Sequence, residues 1–163
     1  MAVLCAGCGV AGDNFAPPPP SGPRLTIVLP VAVTAVRDGD TIEVEIEGTP
    51  DVVRFKGVDT PELATQDPFA QEALDYTQTN VGTEIDLEFD SGCAEPPLLY
   101  CRDSYQRLLA YIRLAGGTDL GADLLGLGLA RVYIFQNEDF DRKQEYLDIE
   151  AQARDAGVGV WSL

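Results

Sequence analysis

The stretch from Val33 to Glu62 (VTAVRDGDTIEVEIEGTPDVVRFKGVDTPE) constrains the fold more than any other part of the chain. Apolar and polar residues alternate over 41–47 and again over 52–57, which is the pattern of half-buried β-strands. Asp38-Gly39 has the composition of a tight hairpin turn, and a second turn is predicted over 48–51. The stretch therefore predicts a short antiparallel sheet.

This sheet would bring together two acidic corners and the strand that carries Arg54. The corners are Asp38-Gly39-Asp40-Thr41 and Val58-Asp59-Thr60-Pro61-Glu62. Asp40 alone would be explained as a turn residue, because aspartate is common in turns. Three carboxylates beside a guanidinium instead indicate a metal-assisted phosphoryl site, since a hard cation with oxygen ligands offsets the charge of a phosphate.

The rest of the sequence predicts one mainly β domain. A helix is expected from Pro68, capped by Asp67, to about 80–82. Further strands are predicted over 84–90, 108–114 and 130–135, and further helices over 119–127 and 141–156, the last ending at Gly157. Strands on both sides of a central helix argue against a βαβ repeat. The predicted fold class is α+β, mainly β: a five-stranded OB-fold barrel with about three helices.

The charge balance is unusual for a protein that acts on a polyanion. Lys plus Arg number 11 against 27 Asp plus Glu, which gives a formal net charge of −16. Nucleic acid is normally bound by a basic face, so the simpler interpretation is a solvated acidic surface that maintains solubility. The chain contains no histidine, which excludes imidazole acid–base chemistry and His-ligated zinc.

Residues 1–24 are predicted to form a disordered segment ahead of a domain at 25–163. Cys5 and Cys8 form a CxxC pair, but no second pair supports a metal or redox site. Gly7-Cys8 resembles the cleavage point of a bacterial lipoprotein signal, although the charged start and apolar run of a full signal do not fit before it. Pro17–Pro20 predicts an extended tether, with a proline-recognition ligand as the alternative.

We therefore expect an exported protein that is secreted, periplasmic or lipid-anchored through Cys8. No stretch is long enough to span a bilayer. Cys93 and Cys101 are predicted to form a disulfide, since they are close in sequence, flank Pro96-Pro97 and suit an exported protein. Buried free thiols are the alternative, which the spacing does not exclude.

Taken in order and spacing, the motifs resemble the staphylococcal nuclease (thermonuclease) family. That family carries a DGDT corner, an Arg-bearing strand and a (V/I)DTPE corner, as this chain does over 38–62. The similarity extends over about 26–162 and includes Tyr105–Tyr111 (YQRLLAY), which is similar to the family's YGRxLAY. It also includes Leu127–Ala130, Glu150–Arg154 and Gly159–Trp161.

The resemblance implies a role for each residue of the two corners. Asp40, Asp59 and the backbone carbonyl of Thr60 would bind Ca²⁺ and leave room for water and a phosphate oxygen. Glu62 would act as the general base or orient the attacking water. The alternative for Glu62 is a dipole or capping partner at the start of a helix.

The resemblance also implies that Arg54 and Arg107 bind phosphate and stabilise the transition state. The alternative for each is a surface arginine in a salt bridge. Tyr105 would contact the terminal phosphate of a bound nucleotide. Two positions depart from the family pattern: Gln106 replaces the glycine of YGR, and Ser104 stands where the best-known members carry a phosphate-binding lysine. Both departures are expected to weaken substrate affinity rather than the chemistry.

The expected protein is a monomeric, calcium-dependent nuclease that hydrolyses single- or double-stranded DNA and RNA with low sequence specificity, giving 3′-phosphate ends. Two alternatives stay open. One is a non-catalytic OB-fold module that binds nucleic acid or a protein, and the other is an acidic envelope lipoprotein with a vestigial site.

Overall fold

The computed structural model of the protein describes residues 27–93 and 101–163. Its strands are β1 (Val28–Asp38), β2 (Thr41–Ile46), β3 (Thr49–Phe55), β4 (Val58–Asp59), β5 (Glu84–Glu88), β6 (Leu108–Arg113) and β7 (Arg131–Val132). Its α-helices are α1 (Ala70–Asn80), α2 (Leu120–Gly126) and α3 (Lys143–Ala156).

Five of the strands close a barrel in the order β1-β2-β3-β6-β5. Neighbouring strands in the barrel are antiparallel, except that β3 and β6 run parallel. The two-residue strands β4 and β7 form a separate antiparallel ladder. The prediction of a mainly β, five-stranded OB-type barrel with about three helices is confirmed.

The apolar side chains that alternate along the strands fill the interior of the barrel, as the sequence predicts. Ile42 and Val44 of β2 are fully buried, whereas Glu45, the residue after Val44, is exposed. They belong to one core with Val53 of β3 and Leu87 of β5. Complete burial of one such aliphatic side chain stabilises the fold by about 1.5–3 kcal/mol, so the pattern of period two decides which face of each strand turns inward.

Two hairpin turns connect the first three strands, and the second is displaced from its predicted position. Gly39 and Asp40 join β1 to β2, one residue later than the predicted pair Asp38-Gly39. The prediction of a turn over 48–51 is wrong, because Glu47 and Gly48 form the turn and β3 already begins at Thr49. Both turn residues have positive φ, 51° and 80°, which matches the twist of a two-residue hairpin.

α1 begins later than predicted, and its predicted cap is wrong. The helix starts at Ala70 behind Phe69, whose φ is 69° and which offers no side-chain cap. The Asp67 carboxylate instead accepts the Glu62 N–H at 3.3 Å, while the Asp67 N–H donates to the Glu62 carbonyl at 3.2 Å. The Asp67 side chain therefore closes a turn behind the second acidic corner and is not available to cap the helix.

The C-terminal elements follow the prediction except for the strand over 130–135. That strand shortens to β7, since Gln136 and Asn137 have φ of 45° and 65° and belong to a 3₁₀ turn. Asp119 caps α2 by accepting the N–H groups of Gly121 and Ala122. α3 ends at Gly157, which has a φ of 63° as predicted for its stop residue.

The predicted disulfide between Cys93 and Cys101 is present, with the two Cα atoms 5.2 Å apart. It fastens the chain that follows β5 to the segment that leads into β6. The predictions for 1–24, for a lipid at Cys8 and for Pro96-Pro97 lie outside the described residues. Within the described ranges, each helix falls short of the length and apolar character that crossing a membrane requires.

Two glycines hold the C-terminal 3₁₀ segment (Gly159–Ser162) against the turn that follows α2. The Val160 N–H donates to the Gly128 carbonyl at 2.8 Å. A Cβ at Gly128 would lie 2.2 Å from the Val158 carbonyl oxygen, and a Cβ at Gly159 would lie 2.1 Å from the Gly128 carbonyl oxygen. The two backbones can approach this closely because neither residue has a side chain.

We expect Gly128→Ala to destabilise the protein far more than Gly82→Ala. Both glycines have positive φ, 67° and 61°, so each alanine bears a left-handed backbone cost of about 1–2 kcal/mol. A Cβ at Gly82 has no atom within 4 Å, whereas the Gly128 Cβ adds an overpacking cost of about 1–3 kcal/mol. Urea unfolding of both variants measures the difference, and equal midpoints would contradict the contact.

Candidate active site

Arg54 lies between two carboxylates that come from different corners of the chain. Its Nη2 donates to Asp59 Oδ1 at 2.6 Å, and its Nη1 forms an ion pair with Asp40 Oδ2. The Arg54 and Asp40 side chains are only 13% and 6% exposed, whereas the Asp59 side chain is 47% exposed. One guanidinium therefore joins a buried carboxylate to one that faces solvent.

The buried Asp40 carboxylate is held by hydrogen bonds as well as by charge. Its Oδ2 accepts the Thr60 N–H at 2.7 Å, and its Oδ1 accepts the Thr41 hydroxyl at 3.1 Å. Burial raises the pKa of Asp40 to about 7, although Arg54 and the Thr60 N–H act in the opposite direction. The Thr60 contact also ties the second acidic corner directly to the first.

α1 packs on the turn that carries Asp40 and so fixes the position of this carboxylate. Thr77 Oγ1 donates to the Gly39 carbonyl at 2.6 Å. A Cβ at Gly39 would lie 2.8 Å from Ala73 Cβ and 2.8 Å from Thr60 Cγ2, so a larger residue would push the helix away. The glycine of the first corner is thus a packing requirement of the site and not only a turn residue.

Glu62 lies two residues beyond Thr60, on the exposed side of the corner. Its backbone is held by the reciprocal hydrogen bonds with Asp67. Among the described residues, its carboxylate has no hydrogen-bond or ion-pair partner. The alternative of a capping role receives no support from the contacts of this side chain, and the carboxylate is open to water beside the cluster.

Arg107 and Tyr105 lie in the loop before β6, and one aspartate that the sequence interpretation missed holds them. Asp103 Oδ1 accepts the N–H groups of Tyr105 and Arg107, each at 2.9 Å, and its Oδ2 accepts Arg107 Nε at 2.7 Å. Arg107 also stacks on Tyr105, with its Cζ 5.4 Å from the ring centroid. The sequence did contain a signal for this role. Asp103 lies two residues before Tyr105 and four before Arg107, a spacing that suits a local side-chain turn.

Gln106 has a left-handed backbone, a conformation that glycine adopts more readily than other residues. Its φ is 66°, a left-handed value that costs a residue with a Cβ about 1–2 kcal/mol. Arg102 compensates: it donates to the Gln106 carbonyl at 2.6 Å and forms two hydrogen bonds with Asp51 on β3, at 3.0 and 2.6 Å. The bond from Arg102 also lowers the pKa of Asp51.

The barrel brings the two parts of the site to neighbouring strands. Val53 of β3 pairs with Leu108 of β6, so Arg107 enters the sheet beside the strand that carries Arg54. A surface cleft of about 450 Å³ adjoins this edge, and Arg107, Tyr105 and Arg37 are among its lining residues.

A larger cleft of about 580 Å³ lies elsewhere on the barrel and contains none of the predicted site residues. Its lining includes Glu45, Glu84 and Asp86, together with Arg113, which is bound to Glu88 at 3.0 Å. A phosphate chain would meet repulsion there, so the smaller cleft beside Arg107 suits a nucleic acid better.

The donor set fits a hard divalent cation. Asp40 and Asp59 converge on one guanidinium, so a single cation can reach both carboxylates, and oxygen donors are those that calcium prefers. Within the described residues, no group of three or more Asp, Glu, Cys or His side chains is arranged to hold a metal. The protein would therefore supply two carboxylates and leave the remaining positions to a carbonyl, water and substrate.

Residues 52–163 match the family described as staphylococcal nuclease homologue. Over 131 residues the chain is 36% identical to endonuclease YncB of Bacillus subtilis, covering 77% of this chain and 58% of that protein. Over 135 residues it is 31% identical to the thermonuclease of Staphylococcus hyicus, covering 80% of this chain and 74% of that protein. The chain belongs to the staphylococcal nuclease family.

Similarity to longer members of the family covers only part of their length. The chain is 31% identical over 140 residues to the SPbeta prophage-derived endonuclease YokF of Bacillus subtilis, covering 83% of this chain and 45% of that protein. The chain thus spans about half the length of this relative. Family membership supports a nuclease, a hydrolase whose substrate is nucleic acid.

Removal of Arg54 is expected to destabilise the metal-free protein in a pH-dependent way. In Arg54→Met the buried Asp40 charge loses its partner, which costs about 3–5 kcal/mol when that charge is present. The folded protein binds the Asp40 proton more tightly than the unfolded chain does, since its pKa is raised from 3.8 to about 7. Stability is therefore lost as pH rises through this range, and loss of Arg54 extends the fall to higher pH.

Urea unfolding in EDTA at pH 5 and pH 8.5 measures this effect. The gap between wild type and Arg54→Met should be small at pH 5, where Asp40 carries its proton in both proteins, and large at pH 8.5. Arg37→Met is the control, because Arg37 is 51% exposed in its pair with Glu43 and such pairs contribute about 0–1 kcal/mol. A pH-independent gap for Arg54→Met would show that Asp40 does not depend on this arginine.

Proposed function

We propose that the protein is a calcium-dependent nuclease that hydrolyses the phosphodiester bonds of DNA and RNA with low sequence specificity and leaves 3′-phosphate ends. The observation that carries the proposal is the convergence of Asp40 and Asp59 on Arg54, with the solvent-facing Glu62 two residues beyond Thr60. Phosphodiester hydrolysis needs such a set: a site for a cation, a donor for the phosphate and a carboxylate that can reach water.

Asp40, Asp59 and the Thr60 carbonyl would hold the calcium ion. When bound, the ion would polarise the phosphate and offset its charge. Arg54 would then exchange one or both of its carboxylate partners for phosphate oxygens. Its planar donors suit two oxygens at once, and they stay charged at every working pH, so they stabilise the added negative charge of the transition state.

Glu62 is suited to accept a proton from the attacking water. Its carboxylate faces solvent and has no ion-pair partner among the described residues, so its oxygens are open to water. On the other side of the phosphate, Arg107 would bind a second pair of oxygens. Asp103 fixes the Arg107 backbone and its Nε, which leaves the terminal nitrogens of the guanidinium to donate to the substrate. Tyr105, 80% exposed, can contact the neighbouring nucleotide.

We propose further that the protein is exported and acts outside the cytoplasm. The disulfide between Cys93 and Cys101 supports this, because structural disulfides persist mainly in oxidising compartments. The bridge lies immediately before Arg102 and Asp103, so it would also steady the loop that presents Arg107. Attachment through a lipid at Cys8 is one form of such export.

Glu62→Gln is expected to slow plasmid cleavage by about 10²–10⁴ while leaving the fold intact, since a positioned acid–base group contributes this much. The matched control is Glu72→Gln, an exposed glutamate in the first turn of α1, which should cleave at the wild-type rate. Initial rates on supercoiled plasmid at saturating calcium measure both. Equal rates for the two variants would remove Glu62 from the mechanism.

Cleavage is expected to require calcium and to stop in excess EGTA. Asp40→Ala and Asp59→Ala should both weaken calcium binding, measured by titration calorimetry, because each deletes one of the two protein carboxylates. Asp86→Ala, in the acidic cleft away from the site, is the control for the change in net charge. Full activity in EGTA would refute the calcium requirement. Calcium-independent binding of DNA without any cleavage would instead favour a non-catalytic OB-fold module.

A further inference from the structure

Most cations of this acidic protein are neutralised by a neighbouring carboxylate. Of its 11 lysines and arginines, Arg24 lies outside the described residues. Eight of the other ten have a carboxylate oxygen within 4.0 Å; they are Arg37, Arg54, Lys56, Arg102, Arg107, Arg113, Arg142 and Lys143. In the described part of the chain, Arg131 and Arg154 are the two that remain.

Both of these arginines stack on the same aromatic ring. The Cζ atom of Arg131 lies 4.2 Å from the centroid of the Trp161 ring, and that of Arg154 lies 5.3 Å from it. A cation–π attraction needs no hydrogen bond to an oxygen, so it leaves the guanidinium N–H donors able to bind another group. Both residues are exposed. Trp161 thus holds two positive charges in place, with their hydrogen-bond donors open to solvent.

The stack lies next to the candidate active site. Arg131 is the direct partner of Asp59 in the β4–β7 ladder, and such partners project from the same face of the sheet. Two nearby carboxylates are already engaged: Asp59 with Arg54 at 2.6 Å, and Glu150 with the Val132 N–H at 2.8 Å. Among the described residues, no carboxylate oxygen lies within 4.0 Å of the Arg131 nitrogens, so neither of these two forms an ion pair with it.

We propose that Arg131 and Arg154, held by Trp161, bind the phosphates of a nucleic-acid strand that continues out of the active site. This inference rests on the proposed function and adds a binding surface to it, which we call the Trp161 platform. On a chain of net charge −16, two unneutralised arginines beside the metal site provide local attraction for a polyanion that the rest of the surface repels. The platform binds backbone phosphate and so suits a substrate of any sequence.

The test measures binding of a fluorescein-labelled, 16-nucleotide oligothymidylate as a function of salt. Each phosphate contact on a single strand contributes about 0.7 to the slope of log Kd against log salt concentration. In a slowly cleaving Glu62→Gln background with calcium present, and with binding read before cleavage becomes measurable, Arg131→Gln/Arg154→Gln should lower the slope by about 1.4. It should weaken binding about 25-fold at 0.1 M salt, which is about fivefold for each contact.

The matched control is Arg113→Gln/Lys143→Gln, which removes two positive charges that already have carboxylate partners. It changes the net charge equally and should keep the slope of the background protein. A double variant at Arg131 and Arg154 whose slope equals that of the control overturns the platform while leaving the proposed function standing. A background protein that binds no oligonucleotide at any salt concentration refutes the proposed function and the platform together.

A purely structural role for the stack gives a different result. Trp161→Phe keeps both charges but weakens the ring that anchors the C-terminal segment, so under our proposal it lowers the melting temperature and retains the salt slope. If affinity instead follows melting temperature across Trp161→Phe, Arg131→Lys/Arg154→Lys and the glutamine variant, the arginines only anchor the segment and the proposal fails.

Discussion

The buried negative charge of Asp40 is the constraint on which the rest of the site depends. A carboxylate that is 6% exposed cannot keep its charge without compensation, and three groups from separate parts of the chain provide it. Arg54 comes from β3, the Thr60 N–H from the corner after β4, and the Thr41 hydroxyl from the start of β2. Satisfying this one charge fixes both acidic corners relative to the barrel.

The two halves of the site are supported in different ways. The half around Asp40 is held by burial and by α1, which approaches closely at Gly39. The half around Arg107 is a loop, and it depends on Asp103, Arg102 and the disulfide. The second half also includes Gln106 in a left-handed conformation, which costs free energy. Part of the stabilisation from these contacts therefore offsets the backbone strain at Gln106. Reduction of the disulfide, or substitution of Asp103 or Arg102, should therefore alter the position of Arg107 more than that of Asp40.

The barrel could be predicted from the sequence because apolar and polar residues alternate strongly in β2 and β3. Burial of each apolar side chain stabilises the strand only when that face turns inward. A hairpin near DGDT was also predictable, because Asp-Gly is typical of tight turns. The Gly157 stop was predictable because glycine readily adopts a left-handed backbone. The role of Asp67 and the position of the second turn were not predictable from composition. Asp67 accepts the Glu62 N–H in a local turn rather than capping the helix, and Pro50 is tolerated near the start of a strand. The support of Arg107 by Asp103 is local, and the spacing of Asp103, Tyr105 and Arg107 is its signal in the sequence. The stacking of Arg131 and Arg154 on Trp161 depends on three-dimensional proximity that no single motif encodes.

The parallel pairing of β3 with β6 has a consequence for how the protein reaches its working state. These strands lie far apart in the chain, so their pairing must overcome the loop-closure entropy of everything between them. Arg54 belongs to one strand and Arg107 directly precedes the other. If only the β1–β2–β3 meander were folded, the acidic turn would be present, but Arg107 would not lie beside Arg54. The proximity of Arg54 to Arg107 therefore depends on closure of the barrel through the β3–β6 pair.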